Sequence, residues 1–286
     1  MSDRQGRFAW YELLTTDMAA ARDFYGRVVG WKAEDASSAF PYTVFSTDKA
    51  EVGGLMELPP EALRMGATPR FVGYVEVDDI DGTVERLRRL GGAVFVPPTD
   101  SNIGRVSIVA DPQTATFGLV SRLNRSAPPG ELDTPGRVGW HELLAGDGMK
   151  AFAFYRELFG WEPTASQNNM LDSYQLVAIE GRVFGGVFTK LPRAPVPFWL
   201  YYVNIPDMAV AVARVREGGG QVVQGPMELP DGSWIARCID PQGAMFSLQG
   251  KTRQSGFEAA STAELSWSAD WGGFASRGKV VTKPKR

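Results

Sequence analysis

Two short segments carry the residues best suited to chemistry, Trp10-Tyr11-Glu12 and Trp140-His141-Glu142. In each, an indole and a carboxylate stand two apart in a run that reads as a β-strand, so both side chains project from one face. A carboxylate sunk beside an aromatic wall gains proton affinity from desolvation and can serve as a general base. It can also neutralise a cation stacked on the indole. Glu12 and Glu142 are therefore the candidate catalytic residues. The same residues also suit packing alone, with the indole filling a cavity and the carboxylate bonding a neighbour across the sheet. His141 takes the opposite face by the same parity and cannot join Glu142 around a metal. A place on the outer surface or at a domain interface suits it, since Tyr11 stands at the matching position. It is the only histidine of 286 residues, which rules out a His-rich metal site. The single cysteine, Cys238, lies in the run Ile235-Ala236-Arg237-Cys238-Ile239, reads as a buried structural thiol and can form no internal disulfide.

These segments correspond because the chain repeats itself. Gly6-Arg7-Phe8-Ala9-Trp10-Tyr11-Glu12-Leu13-Leu14 returns 130 residues later as Gly136-Arg137-Val138-Gly139-Trp140-His141-Glu142-Leu143-Leu144. The match continues through Asp17/Asp147, Phe24-Tyr25/Phe154-Tyr155 and Gly30-Trp31/Gly160-Trp161. Beyond these, Gly53-Gly54 answers to Gly185-Gly186, Tyr74 to Tyr202, and Asp111-Pro112-Gln113 to Asp240-Pro241-Gln242. This organisation gives a domain over 6–123, a Pro/Gly/Ser linker over 124–135, a second domain over 136–250 and a tail over 251–286. Each copy spells the same elements twice. Strand Phe8 to Leu14 precedes a helix capped by Thr16 or Asp17 and stopped by Gly30. Strands follow at Tyr42 to Ser46 and Gly53 to Leu58. Strand Phe71 to Val77 then leads to a helix opening at Asp79 and ending at Gly91-Gly92, and to strands Ala93 to Val96, Val106 to Ala110 and Thr116 to Val120. The fold class is α+β, built from four βαβββ modules.

Composition narrows the function classes. With 44% hydrophobic and 22% charged residues the chain can bury cores and is not disordered. A net charge of -3 offers no broad basic field for nucleic acid, although the tail after Gly250 holds seven Lys/Arg against three Asp/Glu. A polar N-terminus and the lack of any long apolar run argue against a signal peptide or a membrane span, so a cytoplasmic location is expected. Gly250-Lys251-Thr252 looks like the end of a phosphate loop but leaves a strand instead of opening a helix. Trp267 and Trp271, four apart in the tail, suit one face of a short docking helix.

The ordered motifs resemble the glyoxalase/bleomycin-resistance/extradiol-dioxygenase superfamily, the vicinal oxygen chelate proteins, over roughly residues 6 to 250. Those motifs are a strand, an aspartate capping a helix, Phe-Tyr on that helix, Gly-Trp after it and a last strand behind Asp-Pro-Gln. The resemblance implies two glyoxalase-like domains, each a curled mixed sheet around a cleft with helices outside. In metal-dependent members it also implies a divalent metal held by His, Glu or Gln on the first and last strands. Carried onto this chain, the ligand positions fall at Trp10 and Trp140, near Val72 and Leu200, at Gly118 and Ser247, and at Glu57 and near Thr189. Only Glu57 has the chemistry of a ligand, and a catalytic site needs about three protein ligands. If the family geometry holds, the clefts instead gain Trp10, Glu12, Glu57 and Tyr74 in the first domain and Trp140, Glu142 and Tyr202 in the second. The leading expectation is a small organic ligand bound there with no metal and no other cofactor, and with no nucleic acid or membrane as partner; a homo-oligomer is open. The rival is a divalent-metal lyase or dioxygenase with ligands displaced to Glu12, Glu57 or Glu142. A third reading, from another class, is an interaction module with filled clefts.

Overall fold

Alternating apolar residues make Phe8–Thr15 the first strand, β1, of a computed structural model that describes residues 5–36, 40–125, 133–164, 174–190 and 196–251. Asp17 caps helix α1 (Met18–Val29) by accepting from the Ala20 N–H at 2.9 Å, and Gly30, at φ 80°, ends it. Strands β2 (Lys32–Asp35), β3 (Thr43–Ser46) and β4 (Glu51–Glu57) complete the first module. The short helix α2 (Pro60–Arg64) leads to the second module: β5 (Arg70–Glu76), α3 (Ile80–Arg89) capped by Asp79, β6 (Ala93–Ser101), β7 (Gly104–Ala110) and β8 (Thr116–Ser121). The C-terminal copy repeats this order with β9 (Val138–Ala145), α4 (Gly148–Phe159) capped by Asp147, β10 (Glu162–Thr164), β11 (Tyr174–Ile179) and β12 (Arg182–Thr189). Its second module is β13 (Phe198–Ile205), α5 (Met208–Glu217), β14 (Gln221–Glu228), β15 (Trp234–Ile239) and β16 (Met245–Gly250). Most of the linker and the tail residues Trp267 and Trp271 lie outside the described residues.

Each copy forms one eight-stranded mixed sheet, in the orders β2-β3-β4-β1-β5-β8-β7-β6 and β10-β11-β12-β9-β13-β16-β15-β14. The first strands of the two modules, β1 and β5, run antiparallel at the middle of the first sheet. Each of them runs parallel to the last strand of its own module, β4 or β8. The modules of each copy therefore pair within one chain, and the α+β organisation of four βαβββ modules is the one observed.

The helices cover only the outer face of each sheet, and there the two copies share their cores. One buried cluster joins Val75, Val84, Leu87 and Phe117 of the second module to Phe154, Tyr155, Trp161 and Trp199 of the C-terminal copy. The other joins Phe24, Tyr25, Trp31 and Leu55 of the first module to Met208, Val215, Phe246 and Leu248. Polar bonds repeat the exchange. Tyr25 OH donates to Asp240 Oδ2 at 3.0 Å and Tyr155 OH to Asp111 Oδ2 at 3.2 Å. Trp31 Nε1 donates to the Gly136 carbonyl at 2.7 Å and Trp161 Nε1 to that of Gly6 at 2.8 Å. The Phe-Tyr, Gly-Trp and Asp-Pro-Gln motifs are thus the parts that clamp one copy onto the other.

His141 lies at the centre of this interface, 3% exposed. Its Nε2 is 2.6 Å from the hydroxyl of Tyr11, its own counterpart in the repeat, and its Nδ1 is 2.9 Å from the Phe184 carbonyl. A carbonyl can only accept, so Nδ1 carries the proton and Nε2 accepts from Tyr11. Burial pulls the imidazole pKa down to about 4. Of the two places suited to His141 by sequence, the interface is the one it occupies.

Candidate functional site

Among the described residues no helix covers the inner faces of the sheets, and a separate cluster lines each of them. On the N-terminal face, β1 presents Trp10 and Glu12, while β5 presents Val72 and Tyr74; Trp10 stands opposite Tyr74 and Glu12 opposite Val72. Tyr42, which immediately precedes β3, adds a second phenol. Glu12 Oε1 accepts from Tyr42 OH at 2.8 Å and Oε2 from Tyr74 OH at 2.5 Å, and Trp10 Nε1 donates to Tyr42 OH at 3.0 Å. The result is a relay of indole, phenol and carboxylate closed by a second phenol. Trp10 and Glu12 are 0% and 5% exposed. Burial raises the Glu12 pKa, opposed by the hydrogen bonds from Tyr74 and Tyr42.

Small residues make room for these rings. A side chain at Gly54 would collide with the Tyr42 phenol, and one at Gly118, opposite Tyr74 in the β5–β8 register, would run into the Tyr74 ring. Half-buried Leu14, Met56, Val106 and Ile108 pack around the floor and give the face apolar walls. An open cleft of about 540 Å³ beside α1, lined by Met18, Ala19 and Arg22 of that helix together with Phe40 and Pro41, also touches Tyr42.

The C-terminal inner face repeats the relay and adds a charge. Trp140 Nε1 donates to Tyr174 OH at 3.1 Å, and Tyr174 OH and Tyr202 OH donate to Glu142 Oε1 and Oε2 at 3.2 and 2.8 Å. Arg237 on β15 reaches in as well. Its Nη2 donates to Glu142 Oε2 at 2.5 Å, its Nε to Tyr202 OH at 3.0 Å and its Nη1 to Gln224 Oε1 at 2.7 Å. Burial works against that guanidinium, and Glu142, Tyr202 and Tyr174 together outweigh it and hold its pKa above the ordinary value. The N-terminal counterpart of Arg237 is Ile108. Arg237 pairs with Ser247 on β16, and Ile108 with Gly118 on β8; those partners stand opposite Tyr202 and Tyr74.

Six of the seven residues selected from the sequence therefore gather on the two inner faces: Trp10, Glu12 and Tyr74 on one, Trp140, Glu142 and Tyr202 on the other. Glu57 does not join them. On β4 it is Gly54 and Met56 that face inward, so Glu57 has the opposite parity and is exposed at the strand end. Thr189, at the matching position of β12, is exposed and accepts from the Gly148 N–H at the start of α4. Sequence reasoning missed Tyr42, Tyr174, Arg237 and Gln224. The available signals were the tyrosines standing 12 residues before the second glycine of each pair, and a charge inside the apolar run around Cys238, which a buried strand tolerates only with a partner.

The chain belongs to the Glyoxalase/Bleomycin resistance protein/Dioxygenase superfamily, whose family model matches residues 7–118 and 137–248. It is 31% identical over 250 residues to CFP32 of Mycobacterium tuberculosis, whose name assigns it provisionally to the glyoxylases; the match covers 86% of this chain and 95% of that protein. It is 30% identical over 256 residues to the anthracycline biosynthesis protein DauV of a Streptomyces species, covering 85% and 92% of the two. Among solved structures, the Mn(II)-bound glyoxalase of Novosphingobium aromaticivorans superposes with a TM-score of 0.62 over 90% of this chain and 84% of that one. Its 14% identity shows a shared fold alone.

The residues present do not fit the divalent metal that the fold implies. The ligand positions that the resemblance implies carry Trp10, Val72 and Gly118 on one inner face and Trp140, Leu200 and Ser247 on the other, with Glu57 and Thr189 exposed at strand ends, and indole, alkyl and glycine offer a metal no donor. Ser247 is buried, with no hydrogen-bond partner for its Oγ among the described residues. Both oxygens of Glu12 and of Glu142 are held by phenols. Among the described residues no three of His, Cys, Asp and Glu come together.

Proposed function

We propose that the chain binds a small organic molecule on the inner face of one or both sheets, without the divalent metal of its metalloenzyme relatives. The observation that carries this reading is the relay itself: a buried carboxylate ringed by two phenols and an indole, built twice, at the centre of the surface where the family places its chemistry. Half-buried apolar walls around a few convergent polar groups are the usual make-up of a small-molecule site. The name of DauV is consistent with this, since anthracyclines are flat polycyclic aromatics of the kind such walls accept. The cytoplasm suits a chain whose one thiol, Cys238, is unpaired, buried and pushed up to about 12 by that burial. No described helix is long and apolar enough to cross a membrane, and neither nucleic acid nor a membrane is a partner in this reading.

Titration of tryptophan fluorescence with a set of small aromatic compounds tests the proposal, because Trp10 and Trp140 are part of the relay. A saturable change is expected; silence across the set would remove the binding reading. The second reading, a metal-dependent lyase, has the name of CFP32 in its favour. It requires a metal held at displaced positions around Glu12 or Glu142. Elemental analysis of protein purified without chelator separates the two, and stoichiometric Mn, Fe, Ni or Zn would establish the second.

A further inference from the structure

The two inner faces differ at several positions, Val72/Leu200, Gly118/Ser247 and Val96/Gln224 among them, and one further difference decides the charge they hold. In the C-terminal copy a planar cation sits on the relay: Arg237 donates to Glu142 Oε2 and to Tyr202 OH through two nitrogens of its fork. In the N-terminal copy the same floor is present, with Glu12 for Glu142 and Tyr74 for Tyr202, but Ile108 replaces the arginine and Val96 faces Ile108 where Gln224 faces Arg237. Glu12 therefore has two phenol donors and, among the described residues, no cation bonded to it, the nearby charge of Arg125 acting on Tyr42. Among the described residues nothing donates to the Tyr74 hydroxyl, which in Tyr202 is the second point of contact with the fork. The C-terminal copy is thus an internal picture of the N-terminal site with its cation in place.

We propose that the N-terminal inner face is a receptor for a small organic cation, an amidinium, guanidinium or primary ammonium on an apolar or aromatic body, and that the C-terminal face is closed to such ligands because Arg237 already fills the equivalent place. This rests on the binding reading above and narrows it to one ligand class and one of the two faces. A charged donor meeting a buried carboxylate makes a hydrogen bond about twice as strong as a neutral one. The half-buried Leu14, Met56, Val106 and Ile108 offer the ligand's body an apolar surface. A neutral isostere lacks the charge that Glu12 awaits, and an anion meets that carboxylate unopposed.

Calorimetric titration of the intact chain with benzamidine and 2-naphthamidine, each against its neutral isostere benzamide or 2-naphthamide, tests the proposal. The expected result is one amidine per chain, bound at least tenfold more tightly than the matching amide. Ile108→Arg copies the C-terminal arrangement into the N-terminal copy and is expected to weaken amidine binding tenfold or more. Glu12→Gln, which keeps the partners of the relay and removes the charge, does the same and stands as the second variant should Ile108→Arg fail to fold by circular dichroism. Amides binding as tightly as amidines, or amidine binding unchanged in the variants, would overturn the cation site and leave the binding reading in place. Failure of every amidine and amide, together with the wider aromatic set, would remove both.

Discussion

Glu12 and Glu142 hold one position of the repeat in two electrostatic settings, so the same substitution should act on them in opposite directions. Among the described residues no cation bonds Glu12, and burial raises its pKa. A carboxyl whose folded pKa lies above its unfolded value contributes stability that is complete below the unfolded pKa, about 4.3, and is lost as pH rises through the folded one. Glu12→Gln removes that loss, and denaturant unfolding should find the variant more stable than the parent at pH 8 but not at pH 4. Glu142→Gln instead strands the buried guanidinium of Arg237, and a cost of about 3–5 kcal/mol is expected in the same measurement. His141 has the opposite sign of linkage. Its pKa is lowered to about 4, so the stability it contributes is complete above the unfolded value near 6.5 and is lost as pH falls toward 4. Full protonation would forfeit about 3 kcal/mol, at 1.36 kcal/mol for each pKa unit. As the only histidine it gives one imidazole signal in an NMR titration, whose midpoint should lie near pH 4; a midpoint near 6.5 would contradict its burial against Tyr11.

At the scale of elements, α1 and α4 each pack on their own sheet and against a helix of the other copy, α5 and α3, and their tyrosines reach across to the other copy's aspartates. Tyr25→Phe and Tyr155→Phe each remove one donor to a buried aspartate oxygen, at about 1–3 kcal/mol per site in thermal or chemical unfolding. Tyr155→Phe is expected to cost the more of the two, because it also strands the Trp199 indole N–H, whose hydrogen bond Tyr155 OH accepts at 3.0 Å. The helix boundaries were legible in the sequence because they are local: Asp17, Asp147 and Asp79 cap, and Gly30 and Gly160 stop, within one turn of the residues they affect. Helix α2 gives no periodic signal, as none of its five residues is buried. The parity of β1 and β5 correctly put Trp10, Glu12 and Tyr74 on one face. Counting along the chain failed for Glu57, because the count fixes a position on β4 and not the face that Gly54 and Met56 occupy. Arg237 was hidden for a different reason: its neighbours in sequence are apolar, and its partner Glu142 lies 95 residues away.

For the whole molecule, the two shared clusters mean that neither copy owns a complete outer core. The second module completes its core with the third, and the first with the fourth. Calorimetry should therefore show one cooperative unfolding transition for both copies, and either copy expressed alone should fail to fold as a monomer; two separable transitions would contradict the shared cores. A repeat offset of 130 that drifts by only a residue or two made two domains legible, but no offset tells which copy's aspartate receives which copy's tyrosine, so the clamp emerges only in three dimensions. The central claim is that the inner faces bind an organic ligand without a metal. Its most direct test is a calorimetric titration of EDTA-dialysed protein with 2-naphthamidine, before and after addition of Mn(II). The account predicts the same affinity and stoichiometry in both; binding that appears only once the metal is present would contradict it.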